Sequence, residues 1–284
     1  MKRLAMGPGP VLIPASALIL PLVLALTLTA VLTARPARAE AGLSAAEKGE
    51  FALNVALPSP SEMFLALDKL GGADWGPATV VHERYDYGSP YARGLNLGVR
   101  AADGLVAILA RDRNKLGGTI TVVTTLAEEL MIRDSILERS KNFEQMAADG
   151  EWKRLRDELE SLRYDIELEL DQMGDSDVAL LIRAGGWLRA MQATADIFLT
   201  RPYPENVSSM FYQPDLVDYF AGRMLAMEPA ARNNPVVREI ILSLPEMRQL
   251  VDVGFGRPVP RANIEQLARL GGRLVKLIEE AANG

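Results

Sequence analysis

The sequence predicts an all-α fold: a single multi-helix bundle of about eight or nine helices that includes a long antiparallel helical hairpin. Three observations predict it. Past residue 58, apolar residues recur in steps of three and four. Ser59-Pro60 and Asn234-Pro235 mark helix starts, and Gly71-Gly72 and Tyr203-Pro204 mark helix ends. No run alternates as a strand would, and no Asn-Gly turn joins two apolar runs.

Residues 1–39 read as an export signal. Lys2 and Arg3 form a positive start, Val11–Ala34 is almost wholly apolar, and Ala37-Arg38-Ala39 is an A-x-A cleavage site before Glu40. The competing reading is an uncleaved N-terminal helical anchor, since the apolar run is long enough to span a bilayer. Pro14 and Pro21 interrupt that run. The leader lacks a lipobox cysteine and a twin arginine. The expected location is therefore periplasmic or secreted. The leader holds four basic residues (Lys2, Arg3, Arg35, Arg38) and no acid, so its removal takes 31 basic and 37 acidic residues to 27 and 37, a net charge of −10. Such an acidic chain is repelled by nucleic acid, and no stable membrane insertion is expected after cleavage.

Residues 40–57 read as a flexible arm, and residues 58–284 as the helical domain. Ser59-Pro60-Ser61-Glu62 starts a helix: Ser59 caps, Pro60 has no N–H to waste, and Glu62 closes a capping box. Met63, Phe64, Leu67 and Leu70 share a face, and Gly71-Gly72 stops it. Ala73–Pro90 is an aromatic loop, with Thr79-Val80-Val81 as a short extended piece. A second helix spans about Tyr91 to Lys115, with Leu95, Gly98, Val99, Ala102, Leu105, Val106 and Leu109 on one face. Asn96, Arg100, Asp103 and Arg111 fall on the opposite face.

The predicted hairpin pairs Gly118–Asp149 with Gly150–Met173. Trp152, Leu155, Leu159, Leu162, Ile166, Leu170 and Met173 form a narrow seam flanked by charge, with Ile120, Val123, Ala127, Leu130 and Leu137 facing it. Val178–Leu199 is an apolar helix holding Gly185-Gly186, broken by Tyr203-Pro204. A helical turn over Pro204–Tyr212 and a helix over Pro214–Met227 follow. Asn234-Pro235 opens a helix to Val251 that Pro245 kinks or splits, and a last helix runs from about Asn263 to Ala282.

Absent residues exclude much chemistry. With no cysteine there is no disulfide, thiolate metal site or cysteine nucleophile. His82 is the one histidine, so an H-E-x-x-H zinc site is impossible, and no G-x-S-x-G or S-x-x-K accompanies it. Haem held by His82, and copper held by Met210, Met224 and Met227, are weaker readings than a polar loop and core methionines. No cofactor is expected.

Arginines inside apolar helices hold carboxylates, of the protein or of a ligand. That makes Asn96, Arg100, Asp103, Arg183, Trp187, Arg189 and Asp196 the candidate ligand-binding residues. Helix glycines, Gly94, Gly98, Gly104 and Gly185-Gly186, point to close helix crossing, or to room for a ligand. The segment Gly185-Gly186-Trp187-Leu188-Arg189 resembles one in an uncharacterised group of exported bacterial all-helical proteins; the resemblance implies no activity. The expected function is non-catalytic binding of an envelope protein or a small ligand. The alternative is a carboxylate-dependent hydrolase or lyase acting on envelope polymers, drawing on Glu128/Glu129, Asp134, Asp157/Glu158 or Asp165/Glu167.

Overall fold

Helix ends in this chain are set by two kinds of stop, glycine and non-glycine. At Gly150 and Gly174 the backbone turns left-handed (φ 76° and 87°), and the next N–H reaches back five residues, from Glu151 to Met146 and from Asp175 to Leu170. That is the Schellman stop, in its usual glycine form. The same bond pattern occurs at Arg111 (φ 54°, Asp112 N–H to Ala107) and at Met131 (φ 62°, Ile132 N–H to Ala127). Here a side chain sits where it costs about 1–2 kcal/mol.

The computed structural model describes residues 60–71 and 73–281. The export leader, its cleavage site, the 40–57 arm and the Ser59 cap lie outside the described residues. The helices are α1 (Pro60–Asp68), α2 (Pro90–Ala110), α3 (Arg113–Glu129), α4 (Asp134–Leu137), α5 (Phe143–Ala148), α6 (Trp152–Met173), α7 (Ser176–Leu199), α8 (Pro214–Leu225), α9 (Pro229–Arg232), α10 (Pro235–Val251) and α11 (Arg261–Glu279). Short 3₁₀ turns lie at Gly76–Ala78, Glu138–Asn142 and Glu205–Phe211. The fold is an all-α bundle; nine of these helices have six residues or more, and the described residues include no strand.

The two non-glycine stops correct the predicted boundaries. α2 ends at Ala110 rather than near Lys115, because Arg111 turns the chain and Asp112 caps α3 through Lys115 N–H. The predicted hairpin arm Gly118–Asp149 is not one helix. Met131 ends α3 at Glu129, and α4, a 3₁₀ turn and α5 fill the rest. The second arm stands as α6, with Leu155, Leu159, Leu162, Ile166 and Leu170 buried. Its principal partners are α7, α2 and the short helices, whereas α3 packs chiefly against α2. The long antiparallel pair is therefore α6–α7, joined through Gly174-Asp175. Pro245 does not split α10.

α7 and α2 form the centre: eighteen of α7's 24 residues and sixteen of α2's 21 are buried, as befits helices apolar nearly all round. Glycine sets how closely they meet. A Cβ on Gly98 would fall inside the carbonyl oxygen of Ile182, and one on Gly185 inside that of Leu95. The contact is reciprocal: each glycine rests on the residue three places before the other. Gly94 against Val178 and Gly98 against Ile182 step forward together, so the helices run in the same direction. α11 crosses α7 at Gly271, where a Cβ would stand 3.1 Å from Gln192 Cβ. α1 closes another side of α7, with Phe64 edge-on to Trp75 (5.3 Å) and Trp75 Nε1 donating to Asp68 Oδ1 (3.1 Å).

The crossing makes a sharp prediction. Gly98→Ala or Gly185→Ala pushes a methyl into backbone and lowers stability by about 3 kcal/mol or more. Gly222→Ala on α8, where nothing lies within 4 Å of the added Cβ, raises it by roughly 0.5–1 kcal/mol. Urea midpoints of the three variants check this.

Candidate functional site

The polar stripe of α2 faces inward. Asn96, Arg100 and Asp103 are buried, at 0, 2 and 1 % exposure, because α7 and α11 cover the face they occupy. Arg111, predicted on the same stripe, lies past the helix end and is exposed. Because Gly98 and Gly185 bring the backbones together, Arg189 of α7 reaches Asp103: Nε donates to Oδ1 at 2.6 Å. All three branches of the guanidinium are used, since Nη1 donates to Gln192 Oε1 (2.9 Å) and Nη2 to the Ala78 carbonyl (2.7 Å). Arg189 thus clasps the loop before α2 onto the centre.

Asp103 serves two arginines. Its Oδ2 lies 3.1 Å from Arg100 Nη1, and Arg100 Nη2 pairs with Glu279 at the end of α11. Asn96 Nδ2 donates to Ala92 O (2.9 Å) and to Ile278 O (2.8 Å), tying α11 to α2 one turn away. Two guanidinium and two carboxylate groups make the cluster neutral. A buried charge without a partner costs several kcal/mol, so these groups must be held together or not at all. Gln192 Nε2 passes the chain on to Asp196 (3.2 Å), which is exposed.

Tyr87 stands over this cluster, 2 % exposed, with its hydroxyl 3.5 Å from the Glu279 carbonyl oxygen and the Arg84 guanidinium 4.6 Å from its ring centre. Burial pushes its phenol up to about 12, against the pull of Arg100 and Arg84.

The remaining predicted residues lie elsewhere. Arg183 leaves α7 on another side and pairs with Glu167 of α6 (2.7 Å) and, more loosely, Asp171 (3.7 Å). Glu167 is buried and also holds Arg163, which grips Glu160 at 3.1 Å. Burial lowers the Arg163 and Arg183 guanidiniums, but their carboxylate partners outweigh it and raise both. Trp187 stacks on Phe220 (5.0 Å) and donates Nε1 to Gln213 Oε1 (3.1 Å). The seven residues therefore divide three ways: Asn96, Arg100, Asp103, Arg189 and Asp196 in the central chain, Arg183 against α6, and Trp187 against α8.

Sequence reasoning missed Glu279, Tyr87 and Arg163, and it did not foresee the arginine partners of Glu167. Glu279 is separated from Arg100 by 179 positions, and no local pattern links them. Glu167, offered by the sequence as half of a carboxylate pair with Asp165, is 3 % exposed between two arginines. Met224 and Met227 are core residues at 0 and 3 % exposure. His82 lies in the loop before α2, with its buried Nδ1 in no hydrogen bond. Among the described residues, no three His, Cys, Asp or Glu side chains gather as a metal site, and no helix is long and apolar enough to cross a membrane.

A cavity between α2, α3 and α6, walled by Gly104, Thr119, Leu159 and Leu162, holds about 10 Å³, room for one water at most. No protein-family model, curated protein or solved structure matches the chain.

Asp103→Ala leaves two buried arginines with Glu279 as their one carboxylate and lowers stability by about 3–5 kcal/mol. Asp218→Ala removes a half-exposed partner of Arg248 and costs under about 1 kcal/mol; urea unfolding compares them. The Tyr87 phenol titrates later folded than unfolded, so its contribution is complete below about pH 10 and is lost as pH rises towards about 12. Tyr87→Phe flattens that part of the stability–pH curve, and an unchanged curve contradicts the assignment.

Proposed function

We propose that the chain is exported, loses residues 1–39, and acts in the cell envelope as a non-catalytic helical protein that binds a partner protein or a small ligand. One observation carries the non-catalytic reading: the charges at the centre neutralise each other. Asp103 lies between Arg100 and Arg189, Glu279 on Arg100, and Glu167 between Arg163 and Arg183. A glycosidase pair needs one carboxyl free to donate a proton and a second free to attack or to activate water. Carboxylates paired with arginines in this way are spent on holding helices together. The export part rests on the leader: a positive start, an apolar run and an A-x-A box.

The test incubates purified residues 40–284 with peptidoglycan sacculi and chromogenic glycosides. No product is expected. Turnover that disappears on a single carboxylate-to-alanine change overturns the proposal. N-terminal sequencing of the exported protein is expected to begin at Glu40; an intact Met1 in the membrane fraction overturns the cleaved, soluble form.

A further inference from the structure

The left-handed residue that ends α2 is an arginine, where glycine is the residue that fits. Its side chain therefore stays at a backbone cost that glycine would remove. It lines an open depression of about 660 Å³ where the α2–α3 turn meets the Gly150 turn and the start of α6. The two turns are pinned together, since Arg113 Nη2 donates to the Ala148 carbonyl at 2.9 Å.

The charges around this depression are unequally committed. Its three acids each have a cation: Glu151 holds Arg154 (2.9 Å), Asp157 holds Arg156 (2.8 Å) and Glu158 holds Arg139 (2.7 Å). Arg111 and Lys153 are both exposed, and neither side chain makes a hydrogen bond or an ion pair among the described residues. Trp152 lines the same depression and is half-buried, whereas Trp75 and Trp187 are 2 and 3 % exposed. The depression thus offers a guanidinium fork, an ammonium and an indole in one place.

We infer that this depression binds an anionic saccharide, with Arg111 and Lys153 on its carboxylate or phosphate and Trp152 against the apolar face of the sugar ring. A guanidinium grips a carboxylate or phosphate through two parallel N–H donors, and an ammonium adds a mobile point charge. An indole gives a flat apolar platform that a pyranose ring covers with its C–H face. The wide mouth of the depression suits a segment of a chain better than an enclosed metabolite. The inference deepens the binding role proposed above and rests on it, naming the ligand class.

The experiment titrates residues 40–284 with trigalacturonate, with glucose 6-phosphate and with neutral maltotriose in low salt, read by calorimetry. Acrylamide quenching reports on Trp152, the accessible indole. An anionic sugar is expected to bind, to shield Trp152, and to weaken as salt rises; the two anions tell a carboxylate from a phosphate source. Arg111→Gly and Lys153→Gln are each expected to weaken binding roughly fivefold or more. Arg111→Gly at the same time keeps or raises the urea midpoint, because glycine suits the turn; this separates lost binding from lost folding. The inference is overturned if neither anion binds, if Arg111→Gly binds as well as the parent, or if maltotriose or pentaglutamate binds as tightly. Those failures leave the non-catalytic reading standing, because that depends on the separate absence of turnover.

Discussion

The contact of Gly98 with the Ile182 carbonyl, and of Gly185 with that of Leu95, is the constraint on which the rest of the molecule depends. Each glycine weakens its own helix by up to about 1 kcal/mol relative to alanine. The return is a crossing in which backbone meets backbone, a distance that no side chain permits. At that separation residues one turn further on are also in contact, and at the crossing those residues are Asp103 and Arg189. Close approach thus compels a buried ion pair, and the pair must be completed because water has been removed from it.

Completion recruits the rest of the bundle. Arg100 balances the second oxygen of Asp103 and takes Glu279 from α11; Arg189 spends its remaining donors on Gln192 and on Ala78 of the loop. Buried ion networks of this kind add little over apolar packing of the same shape, but they penalise misalignment. A one-residue shift of α7 rotates Arg189 by about 100° and leaves Asp103 facing carbon. The cluster therefore fixes the register of α2, α7 and α11.

Much of this was legible in the sequence where physics is local. The α6 seam, the Asn234-Pro235 start and the break at Ala148-Asp149-Gly150 are short-range signals, and the structure carries helix boundaries at each. Arg111 and Met131 make the same stop with the wrong residue type, so α2 was read as too long and α3 was merged with its successors. The spacing of Asn96, Arg100 and Asp103 marked one polar face, but it could not name Glu279 or Ala78, which lie far away in sequence. Arg183 and Trp187 share α7 with Arg189 yet point towards α6 and α8. Residues six and two positions away on a helix face different neighbours.

The central claim is that the buried charges serve alignment rather than chemistry. Its most direct test is the urea-unfolding free energy of a combined variant, Arg100→Met, Asp103→Leu, Arg189→Met and Glu279→Gln, set beside that of Asp103→Leu alone. The account predicts that the single change is severely destabilising and that the combined variant regains most of the loss, with native near-ultraviolet circular dichroism. A combined variant no more stable than Asp103→Leu would contradict it.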